Sequence, residues 1–79
     1  MTVSIEKVKD IQIIHVEYKS LDASKVEEFL KKISDDITQN NKNLIDLSRV
    51  DFVDSAGLGS LLSCLKKAKT NNGNLKLYG

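Results

Sequence analysis

A six-residue turn, Asp-Ser-Ala-Gly-Leu-Gly at 54–59, carries the residue types of this sequence that are best suited to chemistry. An apolar run at 44–47 precedes it and a helical apolar repeat follows it, so the turn is predicted to join a buried strand to an amphipathic helix. The carboxylate of Asp54 can cap that helix, which leaves Ser55 exposed near the positive end of the helix dipole. A hydroxyl at the carboxyl end of a parallel strand suits an acceptor of phosphoryl groups.

The same turn also fits a purely structural role, in which Asp54 and Ser55 only cap the helix and the glycines only permit close packing. Spacing leaves both interpretations open. A serine hydrolase is not indicated, because Val53 stands where the nucleophile elbow requires glycine and the single histidine, His15, lies on a distant predicted strand. No Gly-Lys-Ser/Thr loop or complete dinucleotide motif is present. We therefore expect no enzyme, no catalytic residue and no cofactor.

Composition excludes several further classes of site and function. Cys64 is the single cysteine and His15 the single histidine, so neither a disulfide framework nor a zinc site is expected. Cys64 is expected to be inert core and His15 a partly buried structural residue. A net charge of +1 provides no electrostatic attraction for nucleic acid or an anionic membrane. With no apolar run near the ~20 residues that span a bilayer and no signal peptide, a soluble cytoplasmic protein is predicted.

The length of 79 residues accommodates one domain, assigned to residues 1–79. Two β-rich segments at 3–8 and 11–18, separated by Lys9 and Asp10, predict an antiparallel hairpin, with Ile14, Val16 and Tyr18 on its core face. The run 44–47 is typical of a strand buried on both faces, and 48–54 is predicted to be a loop. Residues 75–78 alternate as a final strand.

Two helices are predicted between these strands. Ser24 and Glu27 match a capping box for the first, which carries an apolar stripe at Val26, Phe29, Leu30, Ile33 and Ile37. The second follows Ser55 with the stripe Leu58, Leu61, Leu62, Leu65 and Ala68, and is predicted to end at 71–73. The order β-β-α-β-α-β predicts an α/β fold with a small mixed sheet, an opening antiparallel hairpin and parallel βαβ units.

The segment 44–59, Leu-Ile-Asp-Leu-Ser-Arg-Val-Asp-Phe-Val-Asp-Ser-Ala-Gly-Leu-Gly, resembles the signature of the STAS family, the anti-sigma factor antagonists of bacteria. Leu21-Asp22, before the first helix, resembles a second landmark of that family, which lies near the serine turn in its fold. The element order is also similar to that of the family. The resemblance therefore implies a STAS-like fold with its functional edge at Ser55.

In that family, the resemblance implies, the serine at the position of Ser55 is phosphorylated by a partner that is both serine kinase and anti-sigma factor. The unphosphorylated form binds that partner and frees the sigma factor, and a phosphatase resets the switch. ATP and magnesium would belong to the kinase, so the protein would be a phosphoprotein in transcription regulation. The residues expected to meet the partner lie beside Ser55: Asp22, Asp54, Ala56, Gly57 and Leu58. The alternative is a STAS module of a transporter, a lipid-trafficking complex or a stress-signalling complex.

The sequence departs from the family in one respect. STAS domains generally continue with a further helix after the strand that 75–78 resembles, whereas this sequence stops at Gly79. We expect an apolar patch around Ile37, Leu61 and Leu65, and either self-association, by pairing or swapping terminal elements, or a longer natural chain.

Overall fold

The computed structural model describes residues 3–70 and 72–79. Six strands and two helices follow one another in the order β1 (Val3–Val8), β2 (Ile11–Val16), β3 (Ser20–Leu21), α1 (Val26–Gln39), β4 (Lys42–Asp46), β5 (Phe52–Val53), α2 (Ser55–Thr70) and β6 (Asn74–Tyr78). The predicted end of the second helix begins at Asn71, which lies outside the described residues.

Four of the strands form one mixed sheet in the order β1-β2-β4-β6. β1 is antiparallel to β2, while β2, β4 and β6 are parallel, which confirms the predicted α/β architecture. Both crossovers move in the same direction across the sheet, and right-handed crossovers of this kind place both helices on one face. α1 and α2 accordingly pack against each other. The opposite side of the four-stranded sheet, which neither helix covers, is called the helix-free face below.

The hydrophobic core fills the space between the sheet and the two helices. Alternation along β2 and β4 directs Ile14, Val16 and Ile45 to the helices. The residues of the helices that meet them are buried almost completely and recur at spacings of three and four: Phe29, Ile33, Ile37, Leu61, Cys64 and Ala68. Burial raises the pKa of the Cys64 thiol to about 11, as expected for an inert core cysteine.

The predicted exposure or burial of two regions needs correction. The 44–47 segment is not buried on both faces: β4 buries Asn43 and Ile45 on the helix side, and leaves Leu44 half-buried on the helix-free face. The expected apolar patch at Ile37 and Leu61 is also wrong, because α1 and α2 bury these side chains against each other and the sheet, to 1% and 3% exposure.

The predicted capping box at the start of α1 does not form. The helix begins at Val26, and its N-cap, Lys25, makes no side-chain capping hydrogen bond. Ser24 instead donates both its amide and its hydroxyl to Asp22 Oδ1, at 3.0 and 2.6 Å. Asp22, two residues before Ser24, competes with the helix amide for the Ser24 hydroxyl. It does so because an Asx turn satisfies both the amide and the hydroxyl of Ser24 locally.

A polar cluster on the helix-free face links three strands of the sheet through His15. Its Nδ1 lies 2.7 Å from Asp46 Oδ2 on β4, and its Nε2 lies 2.8 Å from Glu6 Oε1 on β1. Hydrogen bonds to Glu6 and Asp46 raise the pKa of His15, and hydrogen bonds from Ser48 and His15 hold the pKa of Asp46 at about 2. A doubly protonated imidazole between two carboxylates satisfies all three groups.

We expect this cluster to make stability depend on pH. The raised pKa of His15 adds stability that is fully present below the unfolded value, ~6.5, and is lost as pH rises through the folded value. The lowered pKa of Asp46 adds stability that is fully present above ~4 and is lost as pH falls toward the folded value of about 2. The difference in unfolding free energy between the wild type and His15→Gln should therefore be largest near pH 5.5 and shrink by pH 8.5. Urea unfolding at both pH values measures it, and an equal difference at both would contradict the assignment.

Candidate functional site

The serine turn is a helix N-terminus capped by its own aspartate. Asp54 Oδ1 accepts the amide of Gly57 at 2.7 Å, and the Asp54 carbonyl accepts the amide of Leu58 at 2.9 Å. α2 consequently starts at Ser55, directly after the predicted cap Asp54. The cap fixes the direction of the helix, so the Ser55 side chain lies at its first position, at the positive end of the dipole.

A short parallel ribbon, missed in the sequence analysis, brings the two halves of the site together. β3 pairs with β5, with Ser20 opposite Phe52 and Leu21 opposite Val53. The backbone bonds continue on either side, from the Asp51 amide to the Lys19 carbonyl at 2.7 Å and from the Asp54 amide to the Leu21 carbonyl at 3.3 Å. Strands of two residues show no alternation, which is why periodicity gave no signal for them.

Asp54 and Asp22 both act within this junction. Asp54 Oδ2 accepts the amide of Ala23 at 3.1 Å, so one carboxylate ties the start of α2 to the segment that leads into α1. Asp22 accepts hydrogen bonds from Ser24 and from the Ser20 hydroxyl, which hold its pKa at about 2. The structure thus places the Leu21-Asp22 landmark beside the serine turn, where the resemblance expects it.

Gly57 is the residue that allows the ribbon and the helix to approach each other. A Cβ at this position would lie 2.1 Å from the Leu21 carbonyl oxygen and 2.9 Å from Val53 Cγ1, closer than any real contact. At Gly59, in contrast, an added Cβ would meet no atom within 4 Å. Of the two glycines in the turn, only Gly57 is required by packing, and it is buried.

The surface around Ser55 is apolar and exposed. Ser55 is exposed, Ala56 is half-buried, and the Ser55 hydroxyl has no hydrogen-bond partner among residues 3–70 and 72–79. Leu58 and Leu62 follow Ser55 at spacings of three and seven and therefore share its side of the helix. We call this region the serine surface; it comprises Ser55 and four exposed apolar side chains, Phe52 at 58%, Val53 at 36%, Leu58 at 52% and Leu62 at 56% exposure.

The exposure of Leu58 and Leu62 corrects their prediction as part of the packed stripe of α2. Helical spacing identified the leucines but not which of them face the core, because leucines lie on both sides of the first two turns. Leu61 alone of the three is buried. Exposed leucines grouped on one side of a helix are typical of surfaces that contact other macromolecules.

The described residues offer no arrangement that would activate Ser55 as a nucleophile. His15 directs both ring nitrogens at Glu6 and Asp46 on the sheet. Within 3–70 and 72–79, no group of three His, Cys, Asp or Glu side chains could hold a metal ion. No helix in these ranges has the length and apolar character needed to cross a bilayer. The structure therefore presents the Ser55 hydroxyl on an exposed surface.

Comparisons with known proteins agree with this geometry. The STAS domain family model matches residues 2–79. An anti-sigma factor antagonist STAS domain from Rhodobacter sphaeroides is 25% identical, with a TM-score of 0.83 over 98% of this chain and 84% of its own. The anti-sigma factor antagonist SpoIIAA in its unphosphorylated form is 26% identical, with a TM-score of 0.74 over 96% of this chain and 71% of its own.

Two further findings set the limits of these likenesses. SpoIIAA, described as a Bacillus cell fate determinant, also matches in its phosphorylated form, at 25% identity and a TM-score of 0.71 over 94% of this chain and 68% of its own. The crystal structure of Mglu is similar at 17% identity and a TM-score of 0.82, over 96% of this chain but only 19% of its own, and this likeness shows the fold alone. A search of curated proteins finds no match.

The contrast between the two glycines gives a direct test of the junction. Gly57→Ala should lower the unfolding free energy by roughly 1–3 kcal/mol, because β3 must move away from α2 to admit the Cβ. Gly59→Ala is the matched control: it adds the same methyl group to the same helix without a clash and should raise stability by up to ~1 kcal/mol. Urea unfolding of both variants measures the effects, and equal stability of the two would show that the close approach is not needed.

Proposed function

Because this chain belongs to the STAS domain family, we propose that it is an anti-sigma factor antagonist switched by phosphorylation at Ser55. In this proposal the unphosphorylated protein binds a cytoplasmic anti-sigma factor that is also a serine kinase, and so releases a sigma factor for transcription. The kinase transfers a phosphoryl group from ATP to the Ser55 hydroxyl, and a phosphatase removes it. The protein is substrate and ligand, and carries out no catalysis itself.

One observation supports this proposal above the others: the Ser55 hydroxyl is exposed among apolar side chains on a rigidly capped helix end. An apolar surface with few charges provides the affinity for a protein partner, because its burial is favourable. A hydroxyl in its midst is tolerated when neutral and becomes unfavourable when charged. The same side chains can therefore serve binding and regulation.

Five of the other serines fit the role of phosphoryl acceptor less well, because of their contacts or their position. The hydroxyls of Ser20 and Ser24 donate to Asp22, and that of Ser60 is buried and donates to the Gly57 carbonyl at 2.6 Å. Ser34 accepts a hydrogen bond from Lys67. Ser63 is exposed but lies two helical turns beyond Ser55. Ser55 alone among the serines is both exposed and part of the first turn of a helix.

The free fold has the means to accept a phosphate at Ser55. Phosphorylation adds about −1.5 to −2 charges, which would bring the net charge from +1 to about −1. The added charge lies at the helix N-terminus, where the dipole favours an anion. The cap itself is unaffected, since Asp54 already holds the amides of Gly57 and Ala23.

The first test concerns the position of the phosphate. Incubation with the cognate anti-sigma factor kinase and ATP should add one phosphate, at Ser55, as mapped by tandem mass spectrometry. Ser55→Ala should abolish the reaction while still folding and binding the kinase, and Ser63→Ala, the matched exposed serine of α2, should be phosphorylated as the wild type is. A phosphate on any other serine or on a threonine would overturn the assignment.

The second test concerns the effect of the phosphate on binding. We expect phosphorylated protein to bind the anti-sigma factor at least ~100-fold more weakly, equivalent to ~2.7 kcal/mol, because an unpaired charge would be buried among Phe52, Leu58 and Leu62. Its circular dichroism spectrum should match that of the unphosphorylated protein. Calorimetry with Ser55→Asp and with Ser63→Asp separates local from general charge effects, since only the first should weaken binding. Equal affinity of both phosphorylation states would contradict the switch.

A further inference from the structure

The helix-free face has an ordered pattern of charge that follows from the strand register. Cross-strand partners share a face, so the pairings Glu6 with Ile13, Ile13 with Leu44 and Leu44 with Lys76 form one row across all four strands. This middle row reads acidic, apolar, apolar, basic from β1 to β6. The adjacent row nearer the carboxyl ends of the parallel strands places His15 on β2 beside Asp46 on β4.

Several apolar side chains of the helix-free face are exposed to solvent, and small domains rarely leave such a group without a partner. Val8 and Ile11 are 42% and 40% exposed, and Ile13 and Leu44 are half-buried, with neither helix over them. The charged ends of the middle row differ in their contacts: Glu6 bonds His15, while Lys76 makes no hydrogen bond or ion pair to a described residue. An apolar centre with an unpartnered lysine at one border has the character of an interface.

We propose that a second copy of this chain packs against the helix-free face, with a two-fold axis running parallel to the strands between β2 and β4. That operation exchanges the left and right borders of the sheet and preserves the rows. Ile13 then lies over the partner's Leu44, and Glu6 lies opposite the partner's Lys76. Both contacts occur twice, as a two-fold interface requires. His15 is likewise brought over the partner's Asp46.

Charge selects this axis over its alternative. A two-fold axis perpendicular to the strands would bring Glu6 opposite the partner's Glu6 and Lys76 opposite the partner's Lys76, and like charges placed together are unfavourable. Aligned sheets pack ~10 Å apart at ~30°, which offsets groups on the outer strands by ~4 Å along the strand. The long side chains of Glu6 and Lys76 can span such an offset.

The shape of the face fits the same arrangement. A cavity of about 690 Å³ opens near the amino ends of the parallel strands, with Ile11, Leu44, Lys42 and Lys76 among its lining residues. It lies on the β4 and β6 side, which the proposed axis places opposite the partner's β1. The exposed Val8 of the partner can enter it. The apolar floor would meet an apolar side chain, and Lys76 would meet Glu6 of the partner subunit.

The geometry also predicts the strength of the association. Four strands at ~4.8 Å spacing and three rows of ~6.6 Å give on the order of 400 Å² for each copy, or ~800 Å² in total. This is below the ~1,200 Å² of a stable interface, so the dimer should be weak and dependent on concentration. The serine surface takes no part, since α2 packs on the opposite side of the sheet. This inference is therefore independent of the proposed function.

Sedimentation equilibrium between about 20 μM and about 1 mM tests the inference with charge reversals. The wild type should dimerise reversibly, Lys76→Glu should raise the dissociation constant at least tenfold, and the double variant Glu6→Lys/Lys76→Glu should return it to within about threefold of the wild type. Lys66→Glu, which makes the same charge change on the exposed side of α2, is the control and should have no effect.

Each other outcome overturns the inference. A wild type that remains monomeric at the highest concentration excludes the dimer, and a dimer indifferent to Lys76→Glu uses a different surface, such as a strand edge. Failure of the double reversal to restore association would contradict the axis. Circular dichroism checks that each variant folds. Nuclear Overhauser effects between the Ile13 and Leu44 methyl groups of differently labelled copies are expected on wild-type protein, and their absence would likewise reject the arrangement.

Discussion

The close approach of the first turn of α2 to the Leu21 carbonyl is the constraint on which the site depends. No residue with a Cβ can stand at Gly57 without displacing that carbonyl, and Asp54 reaches the Ala23 amide only because the two segments lie so close. The β3–β5 ribbon and the Asp22 turn follow from the same contact. Ser55 is thus held by bonds to residues far away in sequence, and its position does not rely on the helix alone.

The single-sided placement of the helices has a second consequence. Because both crossovers run the same way, one face of the sheet receives the whole core and the other receives none of the helical cover. On the helix-free face, the bonds of His15 to Glu6 and Asp46 satisfy three of the polar side chains. The apolar side chains of Ile13 and Leu44 on this face stay half-buried, because no element of the described residues covers them.

The sequence predicted the features that arise from periodicity and local chemistry. The alternation of β2, the stripe of α1 and the Asp54 cap all depend on residues within one or two turns, and all are confirmed. The β3–β5 ribbon could not be predicted, because its pairing joins residues more than thirty positions apart and each strand is too short to alternate. The side of α2 that faces the core also depends on tertiary packing, which is why the exposure of Leu58 and Leu62 was missed.

The failed capping box shows how a nearby acceptor changes a local rule. Ser24 has the right spacing to Glu27, yet its hydroxyl bonds Asp22, which also accepts the Ser20 hydroxyl. The Asp22 carboxylate accepts hydrogen bonds from two hydroxyls and an amide, and these hold its pKa at about 2. The Ser24 hydroxyl, acting as a helix cap, would satisfy one amide only. The segment before α1 is thereby held in a fixed turn, and that turn presents the Ala23 amide to Asp54. Asp22, which prevents the predicted capping box, therefore helps to build the site.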